Sequence, residues 1–157
     1  MMPKSATAMY ENAPAVDSER ILLPSGVSVQ DLREGDGDYV TEGNRVNIQW
    51  VLKRSNGYFI DSSSNNDGVP FIFVVGGKKG QRAIAGLDEG IRGMKVGGIR
   101  RVVIPPSLAF VEGVNDGMPG PIPSGFGPKQ RIRRVMENRM DVPDESFMID
   151  VKVTRVQ

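Results

Sequence analysis

Val27 and Val29, with Leu32 as a further member, alternate with polar neighbours from Gly26 onward, the two-residue period of a strand buried on one face. Gly35-Asp36-Gly37 closes that strand as a turn. The same period recurs in Val46, Ile48, Trp50 and Leu52, followed by Ser55-Asn56-Gly57, where Asn-Gly predicts a type I′ hairpin turn. The chain returns through Tyr58-Phe59-Ile60-Asp61. A polar loop from Ser62 to Gly68 then leads to Phe71-Ile72-Phe73-Val74-Val75, an aromatic and β-branched run bounded by Pro70 and Gly76. Between Arg82 and Val96 the spacing changes to three and four. Ile84, Leu87, Ile91 and Met94 mark one helix face, with Gly90 weakening the helix and Gly93 ending it. Arg100 to Ile104, stopped by Pro105-Pro106, and Phe147 to Val156 read as two further strands.

This order predicts an α+β fold, an antiparallel sheet of about five strands wrapped against one short helix. No βαβ alternation supports a parallel sheet, and no repeat is present. Residues 1–20, rich in Ala, Pro and Ser without periodicity, read as a flexible leader, and residues 21–157 as one domain. Residues 111–144 form a long insertion, Gly- and Pro-rich at first and then basic. Within it Ile132, Val135, Met136 and Met140 fall on one side of a short helix.

The 157 residues include no Cys and no His, which excludes disulfides, thiolate catalysis, Ser-His-Asp chemistry and His- or Cys-ligated zinc. No metal or cofactor is expected. Net charge is +1, so bulk charge favours neither nucleic acid nor acidic lipid. The basic run from Lys129 to Arg134 reads as a solvated face, and Gly76-Gly77-Lys78-Lys79-Gly80 lacks the spacing of a Walker loop. No apolar run reaches the roughly 20 residues of a membrane helix, so no membrane insertion is expected. Ala6-Thr7-Ala8 has the small-x-small form of a cleavage site.

From about Gly26 to the C-terminus the pattern resembles the FKBP-type peptidyl-prolyl isomerases. The resemblance rests on Gly57 through Asp61-Ser62-Ser63, Pro70-Phe71-Ile72-Phe73 with Gly76, and Ile84, Gly86, Asp88-Glu89-Gly90, Met94 and Gly97. Arg101, Ile104-Pro105 and Ala109-Phe110 extend it. It implies a proline-binding cavity in which Asp61, Trp50, Phe71 and Phe110 act on the substrate, and Ile60, Ala83, Ile84, Leu87, Ile122 and Ile149 bind it. Several of these differ from the family's usual residue. Ile60 and Ile149 replace Phe, Ala83 replaces Val, Trp50 replaces Tyr, Leu87 replaces Trp, and Phe110 replaces a Tyr whose hydroxyl donates to the ligand. Such a cavity implies weakened isomerase activity on proline-containing polypeptides and reduced affinity for macrolide immunosuppressants. The alternative is a catalytically silent interaction module that docks a partner through the insertion. Core packing alone also accounts for Phe71, Phe73, Ile84 and Leu87, and loop capping for Asp61. A monomer is expected. The Pro119-to-Pro123 stretch, with Phe126-Gly127 and the basic run, resembles plastid members. That implies a chloroplast location, narrowed to the thylakoid lumen by Ala6-Thr7-Ala8, with the cytosol as the alternative.

Overall fold

The computed structural model describes residues 8–10, 18–77, 82–138 and 145–157. Among these residues seven strands form one antiparallel sheet: β1 (Ile21–Leu22), β2 (Ser28–Arg33), β3 (Arg45–Arg54), β4 (Phe59–Ser62), β5 (Phe71–Val74), β6 (Ile99–Ile104) and β7 (Phe147–Val156). Their spatial order is β1-β2-β6-β7-β3, and β4 and β5 share the remaining edge of β3. Among the described residues two α-helices complete the fold, α1 (Ala85–Gly90) and α2 (Phe126–Asn138). The strand count exceeds the expected five because the two-residue β1 and the four-residue β4 also join the ladder.

The alternation in β3 works as its sequence implies. Val46, Ile48, Trp50 and Leu52 face the main core, while Val51 packs on the other face with Met9 and Ile99 in a second, smaller cluster. Leu32 also packs on that outer face, because it is out of phase with Val27 and Val29. So does Met9, inside the stretch read as leader.

The hairpin after β3 differs from the predicted type I′ turn. Gly57 has positive φ, but Asn56 does not. The Arg54 carbonyl accepts from the Gly57 N–H at 2.8 Å, and the Asn56 side chain accepts from the Tyr58 N–H at 2.9 Å. One left-handed residue at the third loop position is the arrangement that ends in a bulge. A register shift follows, with Leu52 opposite Asp61 but Lys53 opposite Phe59. The extra residue places Ile60 and Asp61 together against Leu52, and Ile60 joins the main core while Phe59 packs on the outer side.

α1 is shorter than the predicted periodic stretch. After Gly90 the chain turns, and Gly93, at φ +83°, donates to the Val40 carbonyl. Gly90 has a positive reason to be there. A Cβ on Gly86 would stand 2.4 Å from Ile104 Cγ2, and one on Gly90 2.5 Å from Val102 Cγ1. The helix lies that close to β6, so its intrinsic weakness is offset by packing. α2 buries Ile132 and Val135 and half-buries Met136, as the spacing predicts; Met140 lies outside the described residues.

Candidate functional site

The residues predicted to form a cavity converge. Trp50, Ile60, Phe71, Ala83, Ile84, Leu87, Phe110 and Ile149 belong to one apolar cluster, with Ile122 packed against it. β3 holds Trp50, whose backbone N–H donates to Ser63 Oγ at 3.1 Å. Phe71, at the start of β5, stacks on Phe73 with centroids 5.2 Å apart. Phe110 meets Phe147 edge-on at 5.2 Å, and Ile149 sits across from Leu52. Asp61, 4% exposed, receives a hydrogen bond from Asn66 Nδ2 at 2.9 Å.

A segment of the insertion crosses this cluster. Gly120 forms a parallel bridge with Ala83: its N–H donates to the Arg82 carbonyl and its carbonyl accepts from the Ile84 N–H, both at 2.9 Å. A Cβ on Gly120 would stand 2.9 Å from the edge of the Phe71 ring, so only glycine lets the strap lie this low. The Gly120–Pro121 bond is cis.

The strap divides the space above the cluster into two grooves. The first, about 460 Å³, runs between Trp50, Val69, Pro70 and Phe71 on one side and Met118, Pro121 and Ile122 on the other. The second, about 510 Å³, is lined by Ala83, Ile84 and Phe110 together with Arg82, Asp88, Arg92 and Glu112. Among the predicted residues, therefore, Trp50, Phe71 and Ile122 face the first groove, and Ala83, Ile84 and Phe110 the second. Ile60, Leu87 and Ile149 line neither and are fully buried behind them, and Asp61, which lines neither, is bonded to Asn66 in the wall of the first groove.

The second groove is polar at its rim. Arg92 donates to Asp88 at 2.8 Å, a bond that raises the guanidinium above its ordinary value, and Arg82 pairs with Glu112 at 3.4 Å. The first groove has the larger share of apolar wall: Val69 and Met118 are exposed, and Ile122 is partly so. Among the described residues no group of three or more Asp or Glu side chains converges on a metal position. Asn66, Val69, Met118, Pro121 and Ser124 were missed by the sequence reading. The signal that was available for Asn66 was an amide in the polar loop just after Asp61; for the others only the folded loop provides it.

The sequence model described as FKBP-type peptidyl-prolyl cis-trans isomerase matches residues 37–134. Over 129 residues the chain is 40% identical to the chloroplastic peptidyl-prolyl cis-trans isomerase FKBP17-1 of Arabidopsis thaliana, covering 77% of this chain and 53% of that protein. It is 37% identical to the chloroplastic FKBP16-1 of the same plant, covering 70% and 51%. The chain thus spans about half the length of these relatives. Among solved structures, AtFKBP13 superposes with a TM-score of 0.58 at 26% identity, covering 87% of this chain and 98% of that one. The N-terminal domain of FKBP42 from Arabidopsis thaliana, at 22% identity and a TM-score of 0.60 over 92% and 96%, shares the fold.

Proposed function

The chain belongs to the FKBP-type peptidyl-prolyl cis-trans isomerase family, and from that premise we propose that it isomerises Xaa-Pro bonds in the groove beside Trp50, Phe71 and Ile122. The observation that carries this reading is the pairing of apolar walls with a carboxylate one hydrogen bond behind them, Asp61 through Asn66.

Rotation about a peptide bond faces a barrier of about 18–20 kcal/mol because planarity carries resonance. In the twisted state the nitrogen is pyramidal and the carbonyl holds water less well. A groove walled by Phe71, Pro70, Ile122 and Met118 supplies little competing hydration, so it favours the twisted form over the planar one. No nucleophile is needed, which suits a chain without His or Cys. Trp50 contributes an aromatic wall with an N–H. Asp61 orients the site from behind, and Ile60, Leu87 and Ile149 support it by packing. Ala83, Ile84 and Phe110, beyond the strap, extend contact to neighbouring residues of the polypeptide.

The same reading places macrolide immunosuppressants as weak ligands, since Leu87 and Phe110 remove the family's Trp surface and Tyr hydroxyl. It takes the working unit as a monomer of residues 21–157 following a leader. A chloroplast location is supported by the two chloroplastic relatives, with the thylakoid lumen as its narrower form.

Turnover of short Xaa-Pro peptides tests the activity. The wild type is expected to accelerate isomerisation, and Asp61→Ala to lower kcat/KM by roughly tenfold, about 1.4 kcal/mol of transition-state stabilisation. Well-folded wild-type protein with no turnover overturns the proposal; full turnover in the variant removes the role of Asp61.

A further inference from the structure

Asn66 lines the first groove and bonds on one side to Asp61 and Ser62 of β4, behind the groove, and on the other to Ser124. Its Nδ2 donates to Asp61 Oδ2 at 2.9 Å and to the Ser62 carbonyl at 2.7 Å. Its Oδ1 accepts from the Ser124 N–H at 2.9 Å and from the Ser124 hydroxyl at 2.6 Å. Both amide hydrogens and both lone pairs of the oxygen are thereby used. The orientation follows from chemistry: a backbone N–H can only donate, so the amide oxygen must face Ser124. A carboxylate and a carbonyl accept, so the NH₂ must face Asp61 and Ser62. Asp at this position would retain the bonds to Ser124 but set one carboxylate against another. The arrangement therefore calls for an amide.

Ser124 ends the strap that carries Met118, Pro121 and Ile122. At its other side the strap is fastened by Gly120 on Ala83 and Ile84. We propose that Asn66 is a positioning residue for the isomerase site, latching the strap to the Asp61 carboxylate and so setting both the width of the groove and the orientation of that carboxylate. This inference rests on the reading of the groove as the proline site. The two halves of the latch differ in strength. The bonds to Asp61 and Ser62 are part-buried, whereas those to Ser124 are exposed and compete with water. The Ser124 side is therefore where the strap releases when a peptide bulkier than the groove enters.

Asn66→Asp keeps the size and shape of the side chain and converts the latch into a carboxylate pair. Like charges at hydrogen-bond distance raise the value of one member, and a single shared proton restores the bond. The other charged groups near the position are Asp116 across the groove, paired with Lys129 at 3.4 Å, and Asp67, the next residue in sequence. Trp50 is the chain's one tryptophan and lines the groove, so its fluorescence reports strap position independently of activity.

The experiment measures peptide kcat and KM, and acrylamide quenching of Trp50, from about pH 4 to pH 7.5 in wild type and Asn66→Asp. In the variant a transition absent from the wild type is expected. At the acid end KM and quenching approach the wild type, short of it by the bond to the Ser62 carbonyl that a single proton cannot also restore; at neutral pH KM is roughly tenfold higher and quenching roughly doubled. Ser124→Ala, which removes only the hydroxyl bond, is expected to raise KM by a smaller factor at every pH and adds no transition. Its thermal melt checks folding should Asn66→Asp prove unstable. An Asn66→Asp profile that parallels the wild type in KM and quenching overturns the latch, as does an unaltered KM in Ser124→Ala if Asn66→Asp fails to fold. Wild-type protein without turnover overturns the isomerase reading instead, and pH-dependent quenching in Asn66→Asp then decides the latch alone.

Discussion

Two aspartates flank β3 on opposite faces, and the protein treats them differently. Asp61 on β4 pairs with Leu52, whose side chain is in the main core; Asp150 on β7 pairs with Val51, which belongs to the small outer cluster. Both are buried. Asp150 is surrounded by compensation: Arg101 donates through two nitrogens at 2.8 and 3.0 Å, Lys53 Nζ lies at 3.4 Å, and the Tyr10 hydroxyl donates as well. Asp61 takes its bond from a neutral amide, and none of the ion pairs among the described residues includes it. The difference distinguishes a carboxylate that holds structure from one left available beside a groove. Neutralised and fully covered, Asp150 ties β3, β6 and β7 to the segment Ala8–Tyr10. Asp61 is held by the Asn66 amide, which lines the first groove.

The largest effect that sharpens this contrast is Asp150→Asn. It leaves Lys53 and Arg101 without their buried counter-charge, and losing one partner of such a group costs about 3–5 kcal/mol. Urea unfolding is expected to show that loss while KM for peptide is unchanged in the folded fraction; a cost below about 1 kcal/mol breaks the comparison. Asp61→Asn comes next and behaves in the opposite manner. The new amide oxygen still accepts from Asn66, so unfolding free energy is expected to fall by only about 1 kcal/mol, with the loss appearing in turnover. Equal destabilisation in the two variants would erase the distinction.

Tyr10 supplies the smallest and most local effect. Burial, the charge of Asp150 and the hydrogen bond to it hold the Tyr10 hydroxyl above its ordinary value, with Arg101 opposing them. Arg101's own bonds to Asp150 raise its guanidinium above the ordinary value. Because the folded value of Tyr10 is the higher one, the hydroxyl ionises first in the unfolded chain. Its contribution is fully present below about pH 10 and is lost as pH rises further. Tyr10→Phe is expected to cost about 1 kcal/mol at neutral pH and to flatten the decline in thermal stability between about pH 9.5 and 11. Parallel curves for the two proteins would show that the hydroxyl contributes nothing through its ionisation.

Much of the sheet was legible because strand and helix periods are local. Val46 to Leu52 carry their own face assignment, and so do Ile132 and Val135; Gly90, read as a weakness, required the neighbouring Val102 to be understood. The hairpin was legible as a turn, but its type was not, since the bulge that follows Gly57 depends on how β4 registers against β3. Of the site, the apolar members were legible through their resemblance to a family. Their division between two grooves and a buried floor was not, because the strap that divides them comes from the insertion. Hydrophobic period thus determined which residues are strands and which face is core, and motif residues such as Asp61-Ser62-Ser63 and Pro70-Phe71 carried the family resemblance. Only tertiary structure decided that Gly120 lies on Phe71, that Asn66 joins Asp61 to Ser124, and that Tyr10 reaches Asp150. The last two contacts link residues 58 and 140 positions apart, and side-chain hydrogen bonds at such separations leave no periodic trace in a sequence.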